Sequence, residues 1–99
     1  MDKEQKEIVR RVFEYNTYEY NAAKLAEELQ ELSLELTKLV TKPDLDETRI
    51  QAIIDEIGDV KIRLKVFELS LDRNRIEERV HLKLVKFNTL LENKRYKYV

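Results

Sequence analysis

An all-α protein of four helices is the fold this sequence predicts, on three observations. Only one glycine and one proline occur in 99 residues, too few for a chain of hairpins and tight turns. Leucines recur at alternating four- and three-residue steps through Leu25, Leu29, Leu32, Leu36 and Leu39, the period of one helix face. Charged residues make up 39% of the chain and hydrophobic ones 42%, a balance that suits amphipathic helices with solvated outer faces. With no linker, low-complexity tract or internal repeat, residues 1–99 read as a single domain. A domain this small buries a modest share of its surface, so a partner chain would help it.

The first helix is expected over Lys3 to Tyr15, with Ile8, Val9, Val12 and Phe13 on its apolar side. Asn16 or Thr17 breaks it. The second runs from Tyr18 to Val40 and carries the leucine stripe. It stops at Thr41-Lys42-Pro43-Asp44-Leu45-Asp46, because Pro43 disfavours helical geometry in the residue before it, and Asp46 is suited to cap the next helix. A third helix spans Glu47 to Leu71 with a core stripe of Ile50, Ile53, Ile57, Val60, Leu64, Phe67 and Leu71. After the polar interruption Asp72-Arg73-Asn74-Arg75, a fourth presents Ile76, Val80, Leu84, Phe87 and Leu91 on one side. The short connection between the second and third helices makes them antiparallel neighbours.

Composition removes several function classes. A net charge of −1 gives no global case for binding nucleic acid or an acidic membrane. Without cysteine there is neither a disulfide framework nor a thiolate metal site, and His81, the one histidine, falls away from its helix's apolar stripe and reads as a surface residue. No apolar run approaches a membrane span, and the charged start Met1-Asp2-Lys3-Glu4-Gln5-Lys6-Glu7 lacks a signal-peptide core. A cytoplasmic protein is the expectation.

Two acidic signatures carry the chemistry: Glu28-Leu29-Gln30-Glu31 on the second helix and Glu56-Ile57-Gly58-Asp59 on the third. Residues three apart share a helix face, so each signature presents two neighbouring carboxylates. At about 100° per residue, Glu28, Glu35 and Glu31 lie about 60°, 80° and 120° to one side of the leucine stripe. On the third helix, Glu56, Arg63 and Asp59 lie about 60°, 80° and 120° from its own stripe in the same sense. In an antiparallel pair, equivalent flanks fall on one side of the seam, so Glu28, Glu31, Glu56 and Asp59 are expected to face a common groove. Like charges held together raise one another's pKa, and a hard divalent cation offsets that cost. Mg²⁺ takes a few carboxylates and completes its shell with water and phosphate oxygen, which points to phosphate chemistry. The plain alternative is solvated surface acids.

Glu27-Glu28-Leu29-Gln30-Glu31, an EExxE run, followed at family spacing by Glu56-Ile57-Gly58-Asp59-Val60, resembles the MazG-like nucleoside triphosphate pyrophosphohydrolases of the all-α NTP pyrophosphatase superfamily. The similarity extends from Lys24 to Leu71, with weaker agreement in the last helix, and Lys61, Arg63 and Lys65 stand where the family generally carries apolar residues. The resemblance implies a four-helix MazG-like bundle that hydrolyses a nucleoside triphosphate between its α and β phosphates, giving monophosphate and pyrophosphate. It implies Mg²⁺, or alternatively Mn²⁺, held by Glu28, Glu31, Glu56 and Asp59, which are then the catalytic residues. Glu27 is turned away from the seam by the same angular reckoning, and Gly58, inside a helix, suggests close approach of another backbone.

Around this site, Lys83 and Lys86, with Arg79 beside them, form a basic flank that would hold phosphates the metal does not reach. The tail Lys94-Arg95-Tyr96-Lys97 is a further candidate. Tyr18 and Asn21, in a cluster with Tyr15, Asn16 and Tyr20, are candidates for stacking and edge recognition of the base, with packing the competing role. Ile54, Ile62, Val66 and Leu69 form a second apolar strip facing away from the third helix's core stripe, and Leu34 is likewise opposite the leucine seam. Self-association is the consequence: a homo-oligomer, a dimer in the simplest case and a tetramer otherwise, through the third helix. Rival readings are a dCTP/dUTP-type or phosphoribosyl-ATP pyrophosphatase of the same superfamily, and a catalytically silent helical interaction module.

Overall fold

Asp2 opens the first helix by a reciprocal cap: its carboxylate accepts from the Gln5 backbone N–H at 2.8 Å, and the Gln5 side chain accepts from the Asp2 N–H at 3.2 Å. The computed structural model describes residues 1–42, 44, 46–93 and 97–99, and in these the chain is four α-helices with no strand. They are α1 (Lys3–Tyr15), α2 (Tyr18–Thr41), α3 (Glu47–Glu68) and α4 (Arg73–Asn93). Pro43, Leu45 and the Lys94-Arg95-Tyr96 part of the tail lie outside the described residues.

Each break is set by a side chain that satisfies an otherwise orphaned backbone donor. Asn16 and Thr17 are extended, and Thr17 Oγ1 accepts from the Tyr20 N–H at 3.1 Å to start α2. Asp46 accepts from the Arg49 N–H at 2.9 Å and starts α3, in the role expected of it. Arg49 Nη1 donates to the carbonyls of Lys42 and Asp44, tying the end of α2 to the start of α3. α3 ends a turn earlier than expected, in i→i+3 bonds from Leu69, Ser70 and Leu71 to Val66, Phe67 and Glu68. Asp72 then accepts from the Asn74 N–H at 2.9 Å, so Arg73, Asn74 and Arg75 belong to the first turn of α4 rather than to an interruption.

The main packing is α2 on α3, with a smaller contact of α1 on α3; α4 makes no comparable contact and buries no side chain. At one end of the α2–α3 seam the rings of Tyr18 and Phe67 lie 5.4 Å apart, tilted by 41°. Half-buried along the seam are Lys24, Leu25, Glu28, Leu32, Glu35 and Leu39 on α2, and Ile50, Ile53, Glu56, Val60, Arg63 and Phe67 on α3. Both helices are therefore rolled toward their charged flanks relative to the expected stripes. Leu29 and Leu36 on α2, and Ile57, Leu64 and Leu71 on α3, all expected in the core, are exposed.

Two further expectations change. Val66, assigned to the outward strip, is 1% exposed and with Val9 forms the buried apolar core of the described residues, because α1 brings a third helix against α3. Ile54, Ile62 and Leu69 do remain exposed. In α4, Val80, Leu84, Phe87 and Leu91 are exposed as well, since no other helix lies along that stripe. The radius of gyration is 16.9 Å, against about 13 Å for a compact chain of this length.

Gly58 does not mark a close approach: a Cβ built there meets no atom within 4 Å. Replacing it removes only the entropic cost of glycine in a helix. Gly58→Ala should therefore raise stability by about 1 kcal/mol, read as a shift in the urea midpoint at unchanged m-value. A loss of stability would mean that another backbone reaches Gly58 in solution.

Candidate metal centre

Glu28 and Glu31, one turn apart on α2, meet Glu56 of α3 across the seam, and one carboxylate oxygen from each lies within 4.8 Å of the other two. The helical period puts the first two on one face, and the roll of both helices toward their charged flanks brings the third opposite. Among the acids of the seam these are the uncompensated ones. Glu35, also within it, has Lys38 Nζ at 3.2 Å. Glu28 Oε2 and Glu56 Oε2, by contrast, are shielded from solvent without a hydrogen-bond partner.

The electrostatics reflect that placement. Burial pushes the Glu28 carboxyl above its ordinary value, and Glu31, Asp59 and Glu27 add to the rise. Glu56 is raised first by burial and then by Glu31, Glu28 and Asp59. The chief influences on both are burial and neighbouring carboxylates. Asp59 is felt by both glutamates but stands outside the set of three close oxygens. Glu27 is exposed and paired with Lys24 at 3.1 Å, turned from the cluster as expected. Hard oxygen donors with two orphaned acceptors among them fit a hard divalent cation, and poorly fit anything anionic.

The other candidates fall elsewhere. Asn21 is buried, and its Oδ1 accepts from Asn16 Nδ2 at 3.1 Å, a bond that ties the α1–α2 corner. The Tyr18 ring packs on Phe67 at the end of the seam. Lys83 Nζ sits 5.2 Å from the centre of its own helix's Phe87 ring and borders a shallow groove with Arg79, Val80 and Leu84. Neither it nor Lys86 has an ion-pair partner among the described residues. The basic residues that do lie on the seam are Lys24 and Arg63, both half-buried and one turn from Glu28 and Asp59. Arg63 shares the azimuth of the acids in the sequence, which was the available signal. Lys24 sits four residues before Glu28 on the same flank.

On the opposite side of α2 lies an open apolar groove of about 470 Å³ lined by Leu29, Leu32, Ser33, Leu36, Thr37 and Val40. No protein-family model, curated protein or solved structure matches the chain.

The raised carboxyls make a pH dependence with a definite sign. A folded state that holds protons on Glu28 and Glu56 more tightly than the unfolded chain gains from them fully below the ordinary value of 4.5. That gain is lost as pH climbs through their raised values. Glu7, lowered by its hydrogen bond from Arg10, acts in the opposite direction, so a reference variant is required. In chelator, the stability of wild type relative to Glu28→Gln/Glu56→Gln should fall as pH rises from 4.5 toward neutrality, measured by urea denaturation. Equal pH slopes for the two proteins would show that the carboxyls are not coupled in solution.

Proposed function

We propose that this chain is a Mg²⁺-dependent nucleoside triphosphate pyrophosphohydrolase of the MazG-like kind, with α2 and α3 as an antiparallel central pair. The observation that carries this reading is the set of three carboxylate oxygens from two helices within 4.8 Å, two of whose residues keep a buried, partnerless oxygen. Support for the antiparallel pair comes from the order of neighbours along the seam: Tyr18 with Phe67, Lys24 with Arg63, Glu28 with Asp59, Glu31 with Glu56.

Glu28, Glu31 and Glu56 would hold the cation, Mg²⁺ or Mn²⁺, with Asp59 beside them. Bound there, the cation supplies charge neutralisation for the triphosphate and acidification of the attacking water. The chain's own residues do the rest. Glu28 and Glu56, each raised by burial and by Glu31, hold the site's geometry from the two helices, and a carboxylate of the set that is not engaged by the cation accepts the proton of the water. The half-buried seam limits access of bulk water to one side.

Assembly belongs to the same reading. Leu29, Leu36, Ile57 and Leu64 lie exposed on the flank of the seam away from the acids, with Val40 at 82% exposure beside them. A second copy placed on this face would bury side chains worth about 1.5 to 3 kcal/mol each. The dimer surface proposed is thus this flank, in place of a strip containing Val66.

Purified protein with Mg²⁺ should convert at least one nucleoside triphosphate to monophosphate and pyrophosphate. Glu28→Gln, Glu31→Gln and Glu56→Gln should each lower turnover by roughly 10- to 100-fold or more, and Asp59→Asn by less, with helical content by circular dichroism unchanged. Release of orthophosphate alone, or near-normal turnover in two of the three glutamine variants, would sink the reading. Sedimentation equilibrium of wild type should give a dimer at micromolar concentration, and Leu36→Asp with Leu64→Asp should dissociate or unfold it. An active wild-type monomer would remove the dimer alone.

A further inference from the structure

The charged side of the α2–α3 seam is ordered along its length. At one level stand Glu31 and Glu56, at the next Glu28 and Asp59, and one turn further toward the start of α2 stand Lys24 and Arg63. A helical turn is about 5.4 Å, so the cations follow the three glutamates along the groove without pairing with them. Among the described residues neither Lys24 nor Arg63 is ion-paired or hydrogen-bonded to Glu28, Glu31 or Glu56. Lys24 is held charged chiefly by its hydrogen bond to Glu27, and Arg63 lies close enough to act on it as a like charge in the opposite direction. Among the described residues Arg63 has no carboxylate or carbonyl partner, although it is half-buried. Lys24 keeps one weak, exposed partner in Glu27 and lies 5.6 Å from the Tyr20 ring centre. Beyond Arg63 on α3, Val66 is fully buried, so the cationic end of the groove abuts packed protein.

A half-buried arginine with no acid to satisfy it calls for an anion, and Lys24, whose partner Glu27 is exposed, stands beside it to share one. An arginine fork with free donors is the group best matched to phosphate oxygens. We infer that Lys24 and Arg63 form an anion pole next to the carboxylates and take the pyrophosphate portion of the substrate. The inference rests on the reading of the acid cluster as a cation site, and moves phosphate binding from Lys83 and Lys86 to the seam. It also gives the substrate a direction: phosphates toward Lys24, Arg63 and Tyr20, with the cation at the glutamates.

The test is calorimetric titration of the full chain with inorganic pyrophosphate at fixed Mg²⁺, in parallel with the thermal shift caused by Mg²⁺ alone. Arg63→Gln and Lys24→Gln should each weaken pyrophosphate binding about tenfold or more, leaving the Mg²⁺ shift as in wild type. Arg63→Lys should recover part of the affinity, because it keeps the charge and loses the fork. Lys83→Gln and Lys86→Gln should bind pyrophosphate as wild type does. If Arg63→Gln does not fold, Lys24→Gln, at the more open edge, decides. Normal affinity in Lys24→Gln and any folded Arg63→Gln, loss in Lys83→Gln instead, or no pyrophosphate binding by wild type would each overturn the inference. No Mg²⁺ shift in wild type, with pyrophosphate binding still dependent on Lys24 and Arg63, would fail the metal reading and uphold the anion pole.

Discussion

The rest of the structure depends on charge enclosed between α2 and α3. A helix pair of this length could have closed on leucine and isoleucine alone, and the sequence supplies enough of both. Instead the two helices roll so that Glu28, Glu35, Glu56 and Arg63 enter the seam while Leu29, Leu36, Ile57 and Leu64 leave it. Burying charge in place of available apolar side chains is unfavourable in a lone chain. Two things would reverse the balance: ligands for the charges, and a cover for the displaced leucines. The same rotation creates the need for both.

The local elements were legible in the sequence because they rest on local rules. Asp46 caps the third helix as expected, Thr17, expected only to break the first, also caps the second, and the first helix has the expected bounds, Lys3–Tyr15. The convergence of Glu28, Glu31 and Glu56 was legible too, since helical azimuth and a short connection suffice to place them. The α3–α4 junction was misplaced by a turn: a run of Asp72, Arg73, Asn74 and Arg75 reads as polar punctuation, whereas the Asp72 carboxylate makes it a capped first turn. The core was the least legible part. A stripe records which residues are apolar and not which of them the chain itself covers, so Val80, Leu84 and Leu91 were placed in a core that α4 does not join. Val66 was missed for the converse reason, because α1 reaches α3 on a flank that α3's own periodicity marks as outward.

Charges along the seam differ in how they are satisfied, and the difference is informative. Glu35 has Lys38 one turn away on its own helix, and Arg49, whose Nη2 is buried without a partner, donates through Nη1 to the Lys42 and Asp44 carbonyls. The first is a local pair, and the second holds α2 to α3. Glu28, Glu56 and Arg63 have neighbours of their own sign and no compensating partner among the described residues. A surface that merely needed to be soluble would have interleaved the two signs, as α1 does with Arg10 between Glu7 and Glu14. Segregation of like charges at half-buried positions is a feature of ligand sites, where the ligand restores neutrality.

The two flanks of the seam then divide the work. Acids and cations line one side; Leu29, Leu36, Val40, Ile57 and Leu64 line the other. Because these sides are opposed, a protein surface covering the apolar flank leaves the charged groove open to small molecules. Each process nonetheless acts on the same two helices: a partner that presses on the apolar flank fixes their spacing, and that spacing sets how closely Glu28 and Glu31 approach Glu56. A chain with only Val9 and Val66 as its buried apolar core among the described residues has little stability of its own with which to hold like charges together. On the proposed reading, cation and cover would therefore stabilise one geometry from its two sides, and each would be held more tightly when the other is present.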